Sequence, residues 1–154
     1  MAKINVVRLI LGGLLAGLVI NISELILNLA VIADSMELAM REYGMPPPGG
    51  STMVIYMVVG FLLGIVTIWI YAAIRPRFGP GPKTAVLAGF VVWLLAYLWR
   101  ILDIGLIGLF DPGLLVLPTA WGLVEIVVAA LAGGWLYREA EAASQAAPGP
   151  PASA

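Results

Sequence analysis

The sequence predicts an all-α fold, a polytopic membrane protein built as a bundle of four transmembrane helices, and three observations carry that prediction. Hydrophobic residues make up 62% of the 154-residue chain and charged residues 11%, with a mean hydropathy of +1.03, far outside the range of soluble globular domains. The apolar residues gather into four stretches, about 6–33, 53–74, 85–110 and 114–137, each meeting the roughly 20 residues a helix needs to cross a bilayer. The breaks between them hold seven of the eleven prolines, and the breaks and the two ends together hold most of the charges.

Span one follows Lys3 and Arg8, a basic start like that of a signal peptide, but its apolar run to Ala33 is far longer than the 7 to 15 residues of a cleaved signal. It reads as a retained span. The loop after it is the one long connection, in which 34–42 can form a short polar helix that Gly44-Met-Pro-Pro-Pro-Gly-Gly50 breaks. Span two ends at Arg75-Pro-Arg-Phe-Gly-Pro-Gly-Pro-Lys83, a basic turn whose prolines and glycines are expected to stop the helix near Ile74. Spans three and four are joined by the apolar turn Gly105-Leu-Ile-Gly-Leu-Phe-Asp-Pro-Gly113, with Asp111 and Pro112 in N-cap and first-turn roles and Pro118 as a kink. A transmembrane domain is thus expected over 1–139. The Ala-, Pro- and Ser-rich tail, 140–154, is expected to be disordered and cytoplasmic.

Four crossings put Lys3, Arg8, Arg75, Arg77, Lys83 and Arg138 on one side and leave Arg41 alone on the other. The positive-inside rule then predicts cytoplasmic termini, and Trp69 with Tyr71 and Trp135 with Tyr137 fall where an aromatic belt belongs. Leu15-Ala-Gly-Leu-Val-Ile20 is similar to Leu87-Ala-Gly-Phe-Val-Val92, and Trp69-Ile-Tyr71 to Trp135-Leu-Tyr137. Spans three and four could therefore repeat spans one and two, as parallel two-helix units about an axis along the membrane normal.

Each span carries small or polar residues at three/four spacing, which puts them on one helical face. They are Gly13, Gly17, Asn21, Glu24 and Asn28; Tyr56, Gly60, Gly64 and Thr67; Gly89, Trp93, Ala96, Arg100 and Asp103; and Gly122, Glu125, Ala129 and Gly133. Small residues allow close backbone approach and polar ones bond between helices, so these faces are the expected bundle interior, with self-association of a Gly face as the sharper alternative.

Charge inside a membrane costs roughly 2.5 to 3.5 kcal/mol per group on insertion scales. Counting about 1.5 Å per residue from the basic end, Glu24, Arg100 and Glu125 fall about 20 to 25 Å in, and Asp103 about 30 Å. A shared layer follows, in which Arg100 is balanced by Glu24, Glu125 or Asp103 through a buried salt bridge, with Asn21 and Asn28 beside Glu24. Three acids facing one guanidinium leave excess negative charge, so at least one carboxyl is expected to stay neutral. Such a group could serve a proton or cation path; alternatively Arg100 and Asp103 neutralise each other and Glu24 only holds helices together.

With no Cys and no His, disulfides, thiol redox, Cys/His zinc sites, haem ligation by His and imidazole catalysis are excluded. No cofactor or metal is expected. A net charge of −1 gives no footprint for nucleic acid.

Trp69-Ile-Tyr-Ala-Ala-Ile-Arg-Pro-Arg-Phe-Gly-Pro-Gly-Pro-Lys-Thr-Ala85 and Leu11-Gly-Gly-Leu-Leu-Ala-Gly-Leu-Val-Ile-Asn21 resemble small four-helix inner-membrane proteins of bacteria for which no activity is established. The resemblance covers the four spans and implies a bacterial inner membrane; it carries over no functional residue. Span one lacks the early glutamate of small multidrug transporters, and the chain lacks the cysteine pair of quinone-linked thiol oxidases. The expectation is a non-enzymatic structural or accessory subunit in the lipid bilayer, a homo-oligomer or part of a larger complex. The alternative is a small carrier or channel using Glu24 or Glu125 with Arg100.

Overall fold

The computed structural model describes residues 4–108 and 112–145. Helix α1, Val6–Ile26, is capped by the Asn5 side chain, which accepts from the Arg8 amide at 3.2 Å. It runs into a π-helical segment, Leu27–Val31, and after Ile32 into α2, Ala33–Glu42. Helix α3 spans Gly50–Phe78. Helix α4, Pro82–Trp93, passes through a second π-helical segment, Leu94–Leu98, into α5, Trp99–Ile107. Helix α6 begins at Pro112 and ends at Gln145. Four of these paths are long and apolar enough to cross a membrane: Val6–Val31, Gly50–Phe78, Pro82–Leu106 and Gly113–Tyr137. They form an all-α four-helix bundle suited to a lipid bilayer.

The boundaries differ from expectation in three places. Helix α3 carries on past Ile74 to Phe78 with Pro76 inside it, because so late a proline forgoes a single bond, that to the Ala72 carbonyl. The chain turns instead at Gly79 and Gly81, whose φ of 81° and 134° lie where only glycine is unstrained. Gly105 belongs to α5, which ends at Gly108 in the left-handed region, φ 69°. Helix α6 continues beyond 139 to Gln145, through Ala, Glu and Gln residues of high helix propensity. Asp111 and residues 146–154 lie outside the described residues.

Span one packs mainly on spans two and four, and span three mainly on four, so one and three occupy opposite corners of the bundle. The contacts are close because glycines line them. A Cβ on Gly64 would strike the backbone of Gly17 and Gly13, one on Gly13 the Ile65 Cα at 2.6 Å, and one on Gly17 the Phe61 Cα at 2.7 Å. Gly133 faces Gly12, and Gly60 faces the Asn21 amide. All these glycine contacts lie between spans of this chain, so the glycine faces are occupied within the bundle.

The two halves bury matching positions. In α1 the buried residues are Leu9, Gly12, Gly13, Ala16, Gly17 and Ile20; from the turn at Gly81 into the third span they are Gly81, Thr84, Ala85, Ala88, Gly89 and Val92, the same pattern at one constant offset. Gly60, Gly64, Thr67, Ile68 and Tyr71 of span two match Ile126, Ala130, Gly133, Gly134 and Tyr137 of span four. The contacts follow: Gly17 meets Gly60 and Gly64, and at the matched positions Gly89 meets Ile126 and Ala130. Tyr71 and Tyr137 touch edge to face, ring centroids 6.1 Å apart. Both are buried, at 1% and 6% exposure, so they belong to the core and only Trp69 and Trp135 face outward as a belt would.

Candidate functional site

A polar cluster joins spans one, three and four in the half of the bundle away from the termini. Glu125 is buried, 3% exposed, with Ala129 one turn along on the same interior face of α6. Its Oε1 accepts from the Tyr97 hydroxyl at 2.6 Å. Tyr97 sits in the second π-helical segment, and Gly122 gives its ring room: a Cβ there would collide with Cδ1 and Cε1 of Tyr97. From span one, Ser23 stands beside the same carboxylate. Ser23 Oγ accepts from Trp121 Nε1 at 2.8 Å. The other carboxylate oxygen, Oε2, is buried and has no hydrogen-bond partner of good geometry among the described residues. Nearly two turns outward from Glu125 on span four, Trp93 Nε1 donates to the Thr119 carbonyl at 2.9 Å, and the Thr119 hydroxyl donates to Leu115 O at 2.6 Å.

The remaining predicted polar residues lie in a different setting. Asn21 donates to Gly17 O at 2.8 Å and to Met57 O at 3.2 Å, tying span one to span two. Glu24 is half-buried and accepts from Asn28 Nδ2 at 3.0 Å; the same nitrogen donates to Glu24 O at 2.8 Å. Asn28, Arg100 and Asp103 are exposed on the outside of the bundle. Arg100 is near enough to attract Glu24 electrostatically, yet it makes no ion pair within 4 Å among the described residues, where the one salt bridge is Arg41 to Glu37 at 2.6 Å.

The expected interior therefore does not extend to Asn28, Arg100 and Asp103, and the buried salt bridge is not formed among the described residues. In the outer half of the bundle the spans stop burying any face: past Val92 no described residue of span three is buried, and in span two Tyr56 is exposed with its neighbours from Met53 to Val59, against the expected interior. On span three the stripe is buried at Gly89, half-buried at Trp93 and Ala96, and exposed at Arg100 and Asp103, the change falling across Leu94–Leu98. On span one it is buried at Gly13 and Gly17, half-buried at Asn21 and Glu24 and exposed at Asn28, inside Leu27–Val31.

Ser23, Tyr97 and Trp121 were outside the expected site because they bear no charge. The available signal was a polar tip on each in mid-span, together with Gly122 one residue after Trp121. What the cluster offers chemically is a carboxyl group among three proton-bearing neighbours. Among the described residues no group of three or more acidic side chains converges in the way a metal ion requires. No known protein family, curated protein or solved structure matches this chain.

Proposed function

We propose that this protein is a small non-catalytic accessory subunit of a membrane assembly, set in a bacterial inner membrane with its termini in the cytoplasm. It binds a partner helix, from another protein or a second copy, along the outer half of span three. The observation that carries this reading is the exposure of Arg100 and Asp103 inside a membrane-crossing helix. A charged side chain facing hydrocarbon is expensive, and a partner's polar groups would remove that penalty. Helix α5 supports the reading, because it buries none of its described side chains in the bundle. The basic residues gathered at the terminal end support the orientation.

The native mass in mild detergent tests this. Untagged protein should run well above the 16.3 kDa monomer, and Arg100→Gln should shift it towards monomer. A wild-type protein that is monomeric at all concentrations rejects the reading.

A second reading has one observation in its favour, the Glu125 carboxylate with one oxygen unpaired and with Tyr97 and Ser23 as proton carriers beside it. Proton coupling uses such a group. Against it, neither the cleft lined by Tyr71 and Gly134 nor the one lined by Ser35 and Gly113 reaches Glu125. Proton flux in liposomes that falls in Glu125→Gln without loss of stability would favour this second reading.

A further inference from the structure

We propose that the cleft beside Gly134 holds an acyl chain of an anionic phospholipid whose phosphate is bound by Arg77 and Lys83. The cleft has a volume of about 300 Å³ and is lined by Tyr71, Gly81, Ala85, Leu131, Gly134 and Trp135, at the end of the bundle that carries the termini. Its origin is visible in the matched halves. Ile68 in span two fills its site completely, 0% exposed and wedged between Gly12 and Gly133. The matched position in span four is Gly134, where an added Cβ would meet only ordinary contacts, Ala85 Cβ at 3.4 Å and the Tyr71 ring at 3.6 Å. The second half thus lacks a large side chain where the first half has one.

The wall is almost wholly hydrocarbon, with the exposed Trp135 at its rim, which suits a lipid tail. The nearby turn supplies the matching charge. Arg77 and Lys83 flank Gly79–Gly81, are exposed, and make no ion pair among the described residues. Arg75 is held against the bundle instead, its guanidinium 5.6 Å from the centre of the Tyr137 ring. The amide of Gly81 donates to the Tyr71 hydroxyl at 3.3 Å, so the turn is tied to the cleft wall. Lys83 directly follows the cleft-lining Gly81 and Pro82, and Arg77 lies at the other side of the same turn, so a tail in the cleft has both cations beside its exit.

The test is native mass spectrometry of the full chain with phosphatidylglycerol or phosphatidylcholine added in equal amounts. The wild type should retain one phosphatidylglycerol with about tenfold preference. Arg77→Gln with Lys83→Gln, both surface changes, should reduce that preference to about one. Gly134→Ile should reduce retention of both lipids. Equal retention of the two lipids by the wild type overturns the proposal, as does unchanged preference in the double variant. Inorganic phosphate at millimolar concentration should not displace the lipid; displacement would mean a site for the free anion and would equally overturn it.

Discussion

The Tyr97 hydroxyl donates to Glu125 Oε1 at 2.6 Å, joining a π-helical segment of span three to the interior face of span four. At 2.6 Å it lies at the short end of the range for bonds between oxygens. It is also exclusive, since Gly122 leaves space for the Tyr97 ring at that one height.

Removing one partner of this bond should cost more than removing both. Tyr97→Phe leaves the buried Glu125 carboxyl without its donor, an expected loss of about 1 to 3 kcal/mol, read as a lower midpoint of thermal unfolding in detergent. Tyr97→Phe with Glu125→Leu replaces both groups by apolar ones and should recover part of that loss. A double variant no more stable than Tyr97→Phe would show that the bond is not what couples the two helices.

The glycines rank themselves by what a methyl group would meet. Gly64→Ala drives a Cβ into the backbone of Gly17 and Gly13, which no rotamer change can relieve. A loss of about 2 to 4 kcal/mol or failure to assemble the bundle is expected. Gly122→Ala strikes a side chain, Tyr97, which can swing away and lose its bond to Glu125, about 1 to 3 kcal/mol. Gly134→Ala enters ordinary van der Waals space and should be neutral or stabilising by a few tenths of a kcal/mol, through helix propensity. Unfolding in increasing sodium dodecyl sulfate would give the order, and Gly134→Ala as the most damaging of the three would contradict this packing.

Four crossings, their approximate limits and the glycine-lined interior were legible in the sequence because hydropathy over about 20 residues and three/four spacing are strong periodic signals. Glu125, Gly13, Gly17, Gly60, Gly64, Gly122 and Gly133 lie on the interior faces as the spacing predicts. The exposure of Asn28, Tyr56, Arg100 and Asp103 was not legible, because three/four spacing marks a face but not how far along the span a neighbour covers it, and the pitch also changes at Leu27–Val31 and Leu94–Leu98. The sequence of Leu94–Leu98, Leu-Leu-Ala-Tyr-Leu, has no proline or glycine to mark the change. A distortion held by tertiary contacts such as Tyr97 with Glu125 leaves no local trace.

Asn21 and Trp93 occupy matched positions in the two halves, and each donates a side-chain N–H to a backbone carbonyl of its neighbouring span, Asn21 to Met57 and Trp93 to Thr119. Asn21→Leu should cost about 0.5 to 2 kcal/mol, the usual range for a polar contact between membrane helices. Trp93→Phe should lose a similar amount from the missing hydrogen bond, plus a packing term for the lost ring, which stacks on Phe90 at 5.7 Å. The two changes touch different helix pairs, so the double variant should show the sum within about 0.5 kcal/mol. Strong non-additivity would mean that the two contacts are coupled through the interface of spans one and four.

Arg100 offers a direct opposition between sequence and structure. A guanidinium balancing buried acids should unfold the bundle when removed, about 3 to 5 kcal/mol for one partner of a buried pair. The structure instead has Arg100 exposed and without an ion pair within 4 Å among the described residues. Arg100→Leu should therefore leave the thermal stability of the detergent-solubilised monomer within about 0.5 kcal/mol of wild type. Glu37→Gln, which breaks the exposed Arg41 pair, should behave alike in the same assay. The same Arg100→Leu change should remove the proposed partner's electrostatic anchor and lower the share of higher-mass species in native separation. A large stability loss in the monomer would return Arg100 to the interior; unchanged stability with unchanged native mass would leave it no structural part in either the fold or the assembly.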